Sequence, residues 1–187
     1  MYFVTKYSGD NINIEVIQGD ITDLEYDCIV NAANKTLLGG GGVDGAIHYA
    51  AGPRLLEECA TLGGCETGEA KVTRGYDLKC YYIIHTVGPI WHNSDSEGRK
   101  NKYREQLKNC YINSLIEAEK LNMESIAFPC ISTGIYHFPK EEACKIAIET
   151  VMKYFEDKKS CIKKVGFCCF LEDDKDIYLE EMKNYLK

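Results

Sequence analysis

Short apolar runs alternate along this chain with longer stretches whose apolar positions recur at helical spacing. Met1 to Tyr7 and Ile12 to Ile17 read as strands joined by a turn at Ser8-Gly9-Asp10-Asn11, and Cys28-Ile29-Val30 as a short buried strand. Ile47, Ala50 and Ala51 then fall on one helical face. Pro53 opens a second helical piece through Leu55, Leu56, Cys59 and Leu62, which Gly63-Gly64 ends. Cys65 to Thr73 leads into a strand, Tyr81 to Val87 is a clearer one, and Trp91 to Arg99 is polar enough to be a loop. From Lys100 to Leu121 a long helix is predicted, with Tyr103, Leu107, Cys110, Tyr111, Ser114, Leu115, Ala118 and Leu121 along its inner stripe. Ser125 to Cys130 is a buried strand, and a helix begun at Pro139 carries Ala143, Ile146, Ala147, Thr150, Val151 and Tyr154. The last strand runs from Lys164 to Leu171. Asp173 or Asp174 caps a final helix with Ile177, Tyr178, Met182 and Tyr185 inward. Strands alternating with helices over most of the chain predict an α/β fold, its sheet largely parallel and covered on both faces, in a single domain over residues 1–187.

Composition narrows the classes of function. With Lys+Arg 22 against Asp+Glu 29 the formal charge is −7, which makes nucleic acid a poor general partner, since non-specific binding depends on cations that neutralise phosphates. An anionic ligand would have to be held locally, by backbone N–H groups. There is no secretory apolar segment near Met1 and no run approaching the roughly 18 apolar residues of a membrane span, so a cytoplasmic protein with no membrane partner is expected. Of the ten cysteines, Cys28, Cys130, Cys168 and Cys169 lie inside apolar segments, and no Cys-x-x-Cys occurs. They read as reduced thiols acting as small hydrophobes. No His spacing matches a structural zinc site, so neither a metal nor a cofactor is expected.

The chemistry concentrates between Asn31 and His48. Asn31-Ala32-Ala33-Asn34 is followed by Gly39-Gly40-Gly41-Gly42-Val43-Asp44-Gly45-Ala46-Ile47-His48, so a glycine run links a buried strand to a helix start. Glycines let the backbone approach a ligand, and the exposed N–H groups of a helix start form an anion site. The alternative, a flexible linker, fits poorly with a run pinned between two elements. Asp44 and His48 are four apart and project from one helical face. Asp44 in a first turn can orient a water or simply start the helix. A second strand-to-helix turn, Ile131-Ser132-Thr133-Gly134-Ile135-Tyr136-His137-Phe138-Pro139, repeats the small-residue pattern and could hold a second phosphate. Asp20, in Gly19-Asp20-Ile21-Thr22, is either a turn cap or an acceptor for the exocyclic amine of a base. His85 reads as a hydrogen-bonded interior residue rather than a ligand or base.

Taken together, Gly19 to Thr22, Asn31 to Asn34, Gly39 to His48, Cys65 to Thr73, Ile84-His85-Thr86-Val87-Gly88-Pro89 and Phe128-Pro129-Cys130-Ile131-Ser132-Thr133-Gly134 resemble the macrodomain family, and within it the MacroD-type ADP-ribosyl hydrolases. The resemblance spans about Ile14 to Tyr178. It implies a three-layer α/β/α fold with a mixed, mainly parallel sheet and ADP-ribose bound at the strand ends. By that resemblance Asp20, with Ile21 beside it, would meet the adenine amine and Phe170 would line the adenine, unless Phe170 is plain core. Ser132, Thr133, Gly134, Ile135 and Tyr136 would wrap the pyrophosphate, while Gly41, Gly42 and Val43 would close over the distal ribose. Asn34 would hold the ribose hydroxyls and Asp44 would position the attacking water, so Asn34, Asp44 and His48 are the candidate catalytic residues. The implied activity removes mono-ADP-ribose from protein side chains, acidic ones foremost, or acetyl from O-acetyl-ADP-ribose, and the protein is expected to act as a monomer. A non-catalytic reader of ADP-ribose is the rival. His137 departs from the family, where a glycine is common; it is either an exposed turn residue or a contact for the leaving group.

Overall fold

The computed structural model describes residues 3–8, 12–156 and 158–187, so the expected turn at 8–11 lies, apart from Ser8, outside the described residues. The strands are β1 (Phe3–Ser8), β2 (Asn13–Gln18), β3 (Cys28–Ala32), β4 (Ala70–Arg74), β5 (Tyr82–Thr86), β6 (Ser125–Pro129) and β7 (Lys164–Cys169). They form one mixed sheet in the order β1-β2-β7-β6-β3-β5-β4. The five inner strands are parallel, and antiparallel β1 and β4 close the two edges. Burial follows position in the sheet. Every residue of central β6 is buried, the pattern of a strand covered on both faces, whereas β1 alternates exposed and half-buried residues and turns Lys6 outward.

The helices are α1 (Gly42–Ala51), α2 (Pro53–Thr61), α3 (Glu97–Lys120), α4 (Lys140–Phe155) and α5 (Glu172–Tyr185). Alternation along the strands sorts them into two layers. Ile29 and Ile83 pack with Ile47, Ala51, Leu55 and Cys59 of α1 and α2 on one face. Val30, Ile84, Phe128 and Phe167 pack with Leu107, Tyr111, Ala147, Val151 and Tyr178 of α3, α4 and α5 on the other.

Three expectations need correction. α3 starts at Glu97 rather than Lys100, because Ser96 Oγ accepts from Arg99 N at 3.5 Å and Glu97 sits in the first turn, where the helix dipole favours a carboxylate. The polar loop therefore ends at Ser96, and Trp91 is a core residue whose ring packs 4.7 Å from that of Phe138. At α5 the N-cap position belongs to Leu171 and no side chain caps it; Asp174 is drawn instead to Lys140, 2.7 Å away on α4. Tyr185 is exposed, Met182 being the last buried position of α5.

The chain leaves β3 toward α1 on one face and leaves β6 toward α4 on the other. Neighbouring parallel strands whose exits diverge in this way open a crevice at their carboxyl ends, the usual ligand position in open α/β sheets.

Candidate functional site

Past β3 the chain is turned by Asn34. Its Oδ1 accepts from Thr36 N (3.1 Å) and Thr36 Oγ1 (2.6 Å), and its Nδ2 donates to Gly39 O (2.9 Å), which staples both ends of the loop. The glycines then let the loop lie on the first turn of α1. A Cβ on Gly45 would stand 2.6 Å from the Gly40 carbonyl oxygen, and one on Gly40 would stand 3.1 Å from Asp44 Oδ2 and 3.2 Å from Asn34 Nδ2. Gly40 thus marks the point where amide and carboxylate converge. The N-cap residue of α1 is Gly41, with no side-chain cap, so the first N–H groups of the helix remain available.

Asp44 is 3% exposed. Its Oδ1 accepts from Asn31 Nδ2 at 2.7 Å, while Oδ2 is buried and has no hydrogen-bond partner among the described residues. Burial raises the carboxyl pKa above its ordinary value, against the opposing pull of the Asn31 hydrogen bond and of His48. His48 Nε2 lies 3.5 Å from Asp44 Oδ1 without making a hydrogen bond.

From the other side comes the loop after β6. Ser132 adopts φ 66° and His137 φ 56°, both in the left-handed region that glycine usually fills. Three main-chain bonds hold the loop in that shape: Phe138 N to Ser132 O (2.9 Å), His137 N to Gly134 O (3.0 Å) and Trp91 N to Tyr136 O (2.8 Å). Among the described residues the N–H groups of Ser132, Gly134, Ile135 and Tyr136 find no protein acceptor. Behind the loop, a Cβ on Gly88 would fall 2.0 Å from Ser132 Oγ and 2.8 Å from Ile131 Cγ2, so the loop's side chains pack directly onto glycine there. Tyr136 has its phenol pKa raised by burial and then by the charge of Asp44 across the crevice, which keeps it a donor.

Between the loops lies a cavity of ≈ 350 Å³. Ten predicted residues line it: Asn34, Gly41, Gly42, Val43, Asp44, Ser132, Thr133, Gly134, Ile135 and Tyr136. Among the described residues no lysine or arginine is in its wall, and its carboxylates are Asp44 and Asp174. Four predicted residues stand outside it. His48 lies behind Asp44, and Ile21 is buried in the core beneath α1. Asp20 accepts from Thr22 N (2.9 Å) and Thr22 Oγ1 (2.7 Å), capping the 3-10 turn Ile21–Asp23. Phe170 is 72% exposed, which rules out its alternative reading as core. Asp20 and Phe170 follow the paired ends of β2 and β7, where Gln18 faces Cys169, so they share one stretch of the sheet's carboxyl edge. His137 is exposed and does not line the cavity.

Sequence reasoning missed Gly88 and Asp174 as wall residues and gave no role to Asn31. A signal for Asn31 existed. It follows Ile29 by two in a buried strand, so it must point with Ile29 toward α1, and a buried amide there requires a partner. Among the described residues no group of three or more His, Cys, Asp or Glu is placed to hold a metal ion, and no helix is long and apolar enough to cross a membrane.

Comparison with known proteins gives consistent results. The family model described as Macro domain matches residues 30–147. The chain is 56% identical over 169 residues to the macro domain-containing protein CT2219 of Chlorobaculum tepidum, covering 90% of this chain and 95% of that protein. It is 51% identical over 173 residues to the human ADP-ribose glycohydrolase MACROD2, covering 92% of this chain and only 40% of that longer protein. Among solved structures, the Oceanobacillus iheyensis macrodomain with ADP superimposes with a TM-score of 0.92 at 39% identity, covering 100% of this chain and 98% of that one.

Proposed function

The chain belongs to the macro domain family, and from that premise we propose that it binds ADP-ribose and hydrolyses its link to a modified group, releasing mono-ADP-ribose from protein side chains or acetyl from O-acetyl-ADP-ribose. The observation that carries the reading is Asp44, a residue of the cavity wall whose Oδ2 is buried and has no hydrogen-bond partner among the described residues, between two loops that offer N–H groups. A pyrophosphate would accept from the N–H groups of Ser132 to Tyr136, with the distal ribose under Gly41, Gly42 and Val43 beside Asn34. Binding by neutral N–H groups suits a cavity wall that holds no lysine or arginine among the described residues.

Asp44 then orients a water toward C1 of the distal ribose. The C1–O bond breaks through an oxocarbenium-like state and its electron pair leaves with the departing group, while the water oxygen bonds to C1 and gives its proton to Asp44 and on to solvent. The usual scheme has a second carboxyl group to protonate the leaving oxygen. Here the other carboxylate of the wall, Asp174, is bound to Lys140 at 2.7 Å. An ester of an aspartate or glutamate side chain leaves as a carboxylate with a pKa of about 4 and needs little protonation, which favours acidic acceptor residues as substrate. A cytoplasmic monomer completes the reading; its ten thiols, all but Cys130 and Cys161 buried, suit a reducing compartment.

Incubation with an auto-mono-ADP-ribosylated acceptor tests this. Release of free ADP-ribose is expected. Tight ADP-ribose binding with no release from either substrate class would make the chain a reader.

A further inference from the structure

Behind Asp44, on the side away from the cavity, a line of buried polar groups crosses three strands. Asn31 on β3 and His85 on β5 are both 0% exposed, and Thr73 on β4 is 1% exposed. Asn31 Nδ2 lies 2.7 Å from Asp44 Oδ1 and 3.1 Å from His85 Nδ1. His85 Nε2 lies 2.8 Å from Thr73 Oγ1, which lies 3.3 Å from the Arg74 carbonyl oxygen.

A count of protons orders the line. An amide nitrogen has two hydrogens. One goes to Asp44, so the other must go to His85 Nδ1, which therefore carries a lone pair. The imidazole proton is then on Nε2 and donates to Thr73, whose hydroxyl donates to Arg74 O. Every proton has one address. Were Nδ1 protonated, Asn31 would have to turn its carbonyl oxygen to the ring, and its N–H would swing off Asp44. The opposite amide orientation also sets Asn31 Oδ1 against a carboxylate. Burial supports the neutral ring, pushing its pKa down to about 3 with a smaller push from His48.

We propose that His85 is a positioning residue for hydrolysis: by accepting one Asn31 hydrogen it holds the other on Asp44 Oδ1, which leaves Oδ2 as the oxygen presented to the cavity and to water. The inference rests on the hydrolase reading for its consequence, not for its geometry. Histidine suits the place because a single planar ring offers an acceptor to Asn31 and a donor to Thr73 on opposite sides. The groups that face it are Asn31 from β3, His48 from α1, Cys59 from α2 (Sγ 3.8 Å from Nε2) and Thr73 from β4, with Asp44 reached through Asn31.

The test compares His85→Leu, which removes the acceptor, with His85→Asn, whose Oδ1 can stand near the former Nδ1 and accept from Asn31. In the Leu variant ADP-ribose affinity by calorimetry should change by less than about twofold while kcat on a mono-ADP-ribosylated acceptor falls about 10- to 100-fold, the scale of losing a group that orients a reacting one. The Asn variant should recover most of that loss. The acid limb of log kcat against pH should move to higher pH in His85→Leu, because the Asn31 bond that favours the ionised carboxylate is weakened. Thr73→Val frees the ring to protonate Nδ1 and should give the same pattern more weakly, which covers a Leu variant that fails to fold. Equal impairment of folded Leu and Asn variants, or an unmoved profile, would overturn the proposal. Titration of Asp44 by carbon NMR in wild type and His85→Leu separates the two readings. An Asp44 pKa that is higher in His85→Leu than in a wild type that turns nothing over would sink the hydrolase reading and keep the hold of His85 on Asn31; wild-type turnover with an Asp44 pKa that His85→Leu leaves unchanged would do the reverse.

Discussion

The two loops that form the cavity reach the same kind of place by different means. The loop before α1 packs against the helix through glycines: at Gly45, in α1, a Cβ would stand 2.6 Å from the Gly40 carbonyl oxygen, and at Gly40 it would push between Asn34 and Asp44. The loop before α4 holds Ser132 and His137 in left-handed conformations and is fastened by the main-chain bonds from Phe138 N to Ser132 O, His137 N to Gly134 O and Trp91 N to Tyr136 O. One loop clears space around a charge, and the other freezes a row of donors. On the proposed reading the first loop does chemistry and the second grips phosphate, so their variants should fail in different ways.

The largest effect belongs to the first loop. Asp44→Ala should lower turnover by at least ~100-fold, the low end of what a positioned acid or base contributes, while ADP-ribose affinity by calorimetry stays near wild type. The sign of the pH dependence follows. Asp44 acts ionised and burial raises its pKa, so wild-type kcat should be flat at higher pH and fall as pH drops through a value above the ordinary carboxylate pKa of about 3.9. Wild-type turnover by a folded Asp44→Ala protein would reduce Asp44 to a helix starter. Gly40→Ala is the gentler form of the same experiment. A methyl group 3.1 Å from Asp44 Oδ2 displaces the carboxylate without removing it, and a drop of about 10-fold in kcat is expected, in line with the cost of small misplacements at a reacting centre.

Gly88→Ala attacks the second loop from behind. Its Cβ would lie 2.0 Å from Ser132 Oγ and 2.8 Å from Ile131 Cγ2, so the loop must move. Overpacking of this kind costs about 1 to 3 kcal/mol of stability, and the loop's N–H groups should lose their common aim. Affinity for ADP-ribose should fall about 10-fold, as for one or two weakened hydrogen bonds to a charged group. At saturating substrate kcat should suffer less. A kcat loss larger than the affinity loss would mean that the second loop also shapes the transition state, and the division between the loops would fail.

How much of this could be read beforehand depended on whether the deciding interaction was local. Burial on both faces made β6 a continuous apolar run, and the periodicity of α3 reported the layer it covers, so the architecture was legible. The start of α3 was misjudged because a single serine oxygen decided it, against a polar composition that suggested loop. In the site, Asn34 and Asp44 announce themselves through the glycines beside them. Asn31, His85 and Thr73 do not, since each is an ordinary strand residue until the register of β3, β5 and β4 places them side by side. Asp174 belongs to the same class: read as a candidate cap, it lines the cavity and pairs with Lys140, 34 positions back in the chain, a contact that only the packing of α4 on α5 makes.

The smallest expected effect concerns His137 and tests whether the second loop's shape or its side chains matter. At φ 56° a histidine bears a left-handed conformation that costs roughly 1 to 2 kcal/mol relative to glycine. Glycine relieves that strain but gives the unfolded chain more freedom, worth about 0.5 to 1 kcal/mol in the opposite direction. His137→Gly should therefore be neutral or slightly stabilising, a Tm rise of no more than about 2 to 4 °C for a chain of this size. Because the bonds from His137 N to Gly134 O and from Phe138 N to Ser132 O are main-chain and survive the change, the loop keeps its form. Its exposed imidazole does not line the cavity, so affinity and kcat should stay within about twofold of wild type, less than the loss of one ordinary hydrogen bond. A clear fall in kcat with unchanged Tm would show the histidine side chain meeting the departing group, and the second loop would then take part in the chemistry as well as the grip.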